Sequence, residues 1–97
     1  MMVVFVLERV PSGVRGDLAR WLLEVRTGVF VGRLGADVRE RLWDRVVSEL
    51  VGQQDAGAAV MVHAVDNEQG YALRIWGDPS RELAYFDGLA LVLIPAR

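Results

Sequence analysis

Apolar positions recur along this chain with two periods, and the switches between them divide it into elements. Val3 to Leu7 is a continuous β-branched and aromatic run, as in a strand central to its sheet. Pro11, Ser12 and Gly13 stop it, and Ser12 or Gly13 is placed to cap a helix starting near Val14. Val14, Leu18, Trp21, Leu22 and Val25 recur at spacings of three and four, which predicts that helix with one apolar stripe. Arg15, Asp17, Arg20 and Glu24 fall largely off the stripe. Val25-Arg26-Thr27 reads as a very short strand, and Gly28 permits a tight reversal into Val29-Phe30-Val31, closed by Gly32.

A second, longer helix is predicted from Ala36. Val38, Leu42, Val46 and Leu50 stand four apart, and Trp43 and Val47 widen the stripe. After a turn over 52–57, Ala58 to Val65 reads as a strand, 66–70 as a hairpin loop, and Tyr71 to Trp76 as its antiparallel mate. A loop through Gly77, Pro79 and Arg81 leads to Asp87-Gly88, and Leu89 to Ile94 forms a last strand stopped by Pro95.

This order predicts an α+β sandwich of the ferredoxin-like kind, with two helices on one face of an antiparallel sheet. Residues 1–97 make one domain, of which 78–97 are a loop and a detached C-terminal strand. An unpaired edge as apolar as Leu89 to Ile94 aggregates unless covered, so that strand is expected to join the sheet of a second protomer.

Composition sharpens the expectation of a dimer. A chain of 97 residues buries a modest share of its surface, and without cysteine it has no disulfide to compensate. Its apolar fraction, 53%, favours a shared interface over disorder. There is no signal peptide pattern and no apolar run of the roughly 18 residues that cross a bilayer, so a cytoplasmic protein without a membrane partner is expected. The net charge of −2 argues against a nucleic-acid binder, yet all eleven basic residues are arginine. GC-rich coding produces that bias, and so does a need for phosphate-binding forks.

Nucleophile elbows, phosphate loops, zinc spacings and dinucleotide fingerprints are absent. The single histidine, His63, lies inside an apolar strand and reads as a core or interface residue. Glu8, at the end of the first strand, has two readings. It is a solvated carboxylate beside Arg9, or, with its two-fold mate, a catalytic group and ligand of a shared divalent ion such as Mg²⁺. Arg9, Arg15 and Arg81 lie in or beside loops, where they either reach a phosphate strip or pair with Asp17, Asp78 and Glu82.

Glu8-Arg9-Val10-Pro11 and the block from Arg15 to Gly32, RGDLARWLLEVRTGVFVG, resemble the CRISPR-associated Cas-two family in its type I-E form. The resemblance continues through Val38-Arg39-Glu40 to Trp43, Gly70-Tyr71, Trp76-Gly77 and Asp87-Gly88-Leu89. It implies a ferredoxin-like homodimer that bridges two dimers of the Cas-one integrase and holds duplex prespacer DNA by its backbone, without a required cofactor. It places backbone contacts on Arg9, Arg15, Arg39 and Arg81, and integrase contacts on Glu68, Asp87 and the tail with Leu89, Leu91, Leu93 and Ile94. Gly13, Asp37 and Ser80 stand where close relatives carry basic residues, so the phosphate grip is expected to be weaker or redistributed. Other members of the family are metal-dependent endonucleases that use an aspartate at the end of the first strand. Here that place is Glu8-Arg9, where the cation competes with a divalent ion by charge.

Overall fold

The computed structural model describes residues 1–53, 55, 57–77 and, as backbone, 82–86 and 89–93. The chain runs β1 (Met2–Glu8), α1 (Ser12–Ala19), β2 (Leu23–Arg26), β3 (Val29–Arg33), α2 (Ala36–Val51), β4 (Ala58–Ala64), β5 (Tyr71–Trp76), β6 (Glu82–Phe86) and β7 (Leu89–Leu93). Five strands form one antiparallel sheet in the order β2-β3-β1-β4-β5. The sheet and its two helices are consistent with the ferredoxin-like fold, with β5 added beside β4.

Period-two alternation in the central strand decides which face the helices cover. Val3, Phe5 and Leu7 of β1 are buried, as are Ala59, Met61 and His63 opposite them on β4. Val14 and Leu18 of α1 and Leu42, Trp43, Val46 and Leu50 of α2 close over this face and share one core with Phe5, Phe30 and Met61. Phe5 meets Trp43 in a tilted ring pair with centroids 6.4 Å apart, a geometry aromatic rings favour over a flat stack.

The first helix is shorter than its periodicity predicts. It ends at Ala19, with Arg20, Trp21 and Leu22 closing its last turn onto Asp17 and Leu18 carbonyls. Trp21 and Val25 therefore leave the predicted stripe and are exposed, at 54% and 56%. The cause is tertiary: Leu23–Arg26 pairs with β3 as the edge strand of the sheet, so hairpin hydrogen bonds replace further helical turns. The start also differs. Pro11 is the N-cap and makes no side-chain cap, its carbonyl accepting the Val14 and Arg15 N–H groups, while Ser12 is already helical.

Residues 82–86, read from sequence as loop, form β6, and β6 pairs with β7 from Glu82 opposite Leu93 to Phe86 opposite Leu89. The C-terminal strand thus has a hydrogen-bonding neighbour within its own chain. No described helix is long and apolar enough to cross a membrane.

Candidate nucleic-acid and partner interfaces

The end of β1 is built by close backbone approach. The Leu7 N–H donates to the Gly28 carbonyl at 2.8 Å, which draws the β2–β3 turn against the strand, and Gly28 adopts φ +80° there. On the other side Gly57 lies so close to Glu8 that a Cβ would fall within the Glu8 carbonyl. Between these glycines the chain turns sharply, with Arg9 in the left-handed region at φ 51°, a conformation that costs a non-glycine residue about 1 kcal/mol or more. Glu8 and Arg9 are both exposed. Among the described residues neither side chain has a hydrogen bond or ion pair.

Mg²⁺ is held through one or two carboxylates with ordered waters and often substrate phosphates. Glu8 brings one carboxylate, with a cation next in sequence, and among the described residues no three acidic or histidine side chains converge.

The arginines predicted to meet DNA have different surroundings. Arg15, on α1, donates from Nε and Nη2 to one oxygen of Glu24 at 3.1 and 2.8 Å, and the same oxygen accepts the Gly28 N–H at 2.9 Å. That N–H and then the guanidinium lower the Glu24 pKa. Glu24 thus ties α1 to the β2–β3 turn, and Arg15 is paired with it rather than with Asp17, which meets Arg45 on α2 at 2.8 Å. Arg39 is largely withdrawn from solvent, its side chain 12% exposed. Its Nε donates to Glu40 at 2.9 Å and its Nη1 to the Met1 thioether at 2.8 Å and to His63 Nδ1 at 3.3 Å. Arg81 lies outside the described residues, as do Asp87 and Ile94. Glu68 is exposed at the β4–β5 hairpin, and Leu89, Leu91 and Leu93 lie along β7.

Sequence reading missed Arg74, which pairs with Glu40 at 2.6 Å. A signal was available. Arg74 alternates with Ala72 and Trp76 and is opposite buried Met61, so it stands on the covered face of β5, where a cation needs a partner.

His63 is buried, and its Nδ1 stands 3.3 Å from Arg39 Nη1, which can only donate, and 3.4 Å from the Ala64 carbonyl, which can only accept; the neutral ring protonated on Nε2 makes the shorter of the two contacts. Burial first, then Arg39, lowers its pKa below the ordinary imidazole value. The unfolded chain therefore takes up this proton more readily than the folded one. Stability from this site is complete above about pH 6.5 and is lost as pH falls between that value and the lower folded pKa. Thermal melts from about pH 8 to about pH 5 are expected to show a steeper loss in the wild type than in His63→Gln; equal slopes would contradict it.

The sheet face away from the helices is apolar. Leu23, Val31, Val4, Val62 and Leu73 form one row across the five strands, and Arg26, Val29, Val6, Val60 and Ile75 form the next. These side chains are half-buried or exposed, with Leu23 at 68%. A shallow depression bordered by Met2, Val4, Val62, Ala64 and Tyr71 continues the surface toward the hairpin. A face of this extent and composition is characteristic of an interaction surface.

A family model described as CRISPR-associated protein (Cas_Cas2CT1978) matches residues 2–91. The chain belongs to this Cas-two-type family. The match extends from β1 into β7, so the glycine-bounded turn at Glu8-Arg9, the apolar face and the Arg39–Glu40 pair all lie within the Cas-two-type region. A CRISPR-associated role follows from that membership.

Proposed function

We propose that the chain is a homodimeric, non-catalytic adaptor of a type I-E spacer-acquisition complex, in which it bridges Cas-one integrase dimers and holds duplex prespacer DNA by its backbone. The observation that carries this reading is the apolar sheet face, flanked by arginine and belonging to a chain of a CRISPR-associated family. Two such faces packed on a two-fold axis bury the valine rows and give the short chain its second layer. The β6–β7 ladder occupies one edge of β7, and among the described residues no strand pairs with the other, which suits addition to a partner's sheet. Arg9 and Arg26, exposed at one end of the sheet and without an ion pair among the described residues, are suited to phosphates.

Backbone recognition predicts duplex binding that is indifferent to sequence and weakens linearly in log–log form with salt, by about 0.9 per phosphate neutralised. Fluorescence anisotropy with two unrelated duplexes over a salt series measures this. An affinity that distinguishes the duplexes, or does not respond to salt, contradicts the proposal.

A second reading, a Mg²⁺-dependent endonuclease, draws on one observation: the Glu8 carboxylate is exposed and unpaired among the described residues, beside a strained Arg9 backbone. It makes Glu8 indispensable, whereas the adaptor reading does not.

A further inference from the structure

We propose that Arg39 and Arg74, braced on either side of Glu40 at the α2 flank of β5, form an anion clamp for the phosphodiester backbone of duplex DNA. This rests on the adaptor reading and specifies where its phosphate grip lies.

The two oxygens of Glu40 are divided between the arginines. Oε2 accepts from Arg39 Nε at 2.9 Å and Oε1 accepts from Arg74 Nη1 at 2.6 Å. One carboxylate therefore holds two guanidiniums together, and the group keeps a net positive charge. Arg39 and Arg74 hold Glu40 in its ionised form, lowering its pKa against the opposing effect of burial. No other carboxylate among the described residues pairs with either arginine.

The two cations have different parts. Arg39 is anchored from beneath, where His63 Nδ1 accepts from Nη1 at 3.3 Å, and His63 itself is buried beside β1. Arg74 is the accessible member. Its side chain is 38% exposed, and one Nη1 contact to Glu40 leaves the Nε and Nη2 donors without a partner among the described residues. A guanidinium presents its donors as a rigid fork that matches two phosphate oxygens. Holding that fork beside a second cation reduces the side-chain ordering that binding requires. Glu40 does not cancel the attraction, because it balances only one of the two charges. A strand-borne arginine beside an arginine on α2 suits a backbone running along this flank, where contacts of this type position the duplex without reading bases.

The test has two arms on the full-length protein. In the first, duplex affinity is measured over a salt series for the wild type, Arg74→Gln and Arg74→Lys, with thermal melts to establish folding. The clamp predicts that Arg74→Gln lowers the salt slope by about one and weakens binding about threefold at moderate salt. Arg74→Lys is expected to recover the slope but not the full affinity, since charge returns without the fork. A folded Arg74→Gln protein with wild-type slope and affinity overturns the clamp.

In the second arm, inorganic phosphate is titrated against the wild type while the arginine Nε–H resonances are followed by NMR. Saturable shifts at Arg74 and Arg39 support the clamp, and shifts confined to other arginines overturn it. If the wild type binds no duplex, the adaptor reading fails, and the phosphate arm still decides whether the anion site exists.

Discussion

Val62→Glu is expected to yield a folded monomer. Val62 lies mid-sheet on the face opposite the helices, between Val4 of β1 and Leu73 of β5. Within one chain it is half-buried, so a carboxylate there can extend into water and the helix-side core of Phe5, Phe30 and Met61 remains intact. In a two-fold sandwich the same carboxylate would be enclosed with its mate among valines, and an unpaired buried charge costs several kcal/mol. The dimer dissociation constant should rise at least about 100-fold, equivalent to roughly 3 kcal/mol. Sedimentation velocity and far-UV circular dichroism check this together. A Val62→Glu protein that stays dimeric at micromolar concentration would show that another surface holds the protomers, and bridging through this face would have to be abandoned.

Gly57→Ala is expected to destabilise the protein by roughly 3 kcal/mol or more, at or beyond the upper end of ordinary overpacking. The obstacle is space rather than dihedral preference. The new Cβ would fall within the Glu8 carbonyl and lie 2.8 Å from the Arg9 Cβ, and a strand backbone paired through Leu7 and Glu8 with β4 cannot move aside alone. Gly16→Ala is the contrasting control. It lies inside α1 with nothing within 4 Å of a built Cβ, so the methyl should stabilise by about 0.5–1 kcal/mol through reduced unfolded-state entropy. Urea denaturation measures both. A Gly57→Ala loss below about 1 kcal/mol would mean that the end of β1 is more compliant than its packing indicates.

The core was legible wherever one periodicity persisted. α2 begins at Ala36 as its stripe predicts, and β4 and β5 begin where the turn residues place them. α1 was overextended because Trp21, Leu22 and Val25 continue a helical spacing, while the pairing of Leu23–Arg26 with β3 that overrides it is non-local. β6 escaped notice for the same reason. Its partner, β7, supplies the ladder that a five-residue segment cannot advertise alone. At the candidate site the chemical type of each arginine was readable, but its state of pairing was not. Glu24 claims Arg15 from nine residues away, and His63 receives Arg39 across the helix–sheet layer. Those pairings depend on how α1 meets β2 and α2 meets β4, and no local pattern records it.

The adaptor role is tested most directly by an integration assay reconstituted with the cognate integrase and duplex prespacer, with wild-type protein and Glu8→Ala run in parallel. An adaptor predicts equal integration, since Glu8 is an exposed carboxylate without a metal shell among the described residues. Loss of integration in a Glu8→Ala protein that still assembles with integrase and DNA would contradict it and assign Glu8 a role in the chemistry or in placing the duplex.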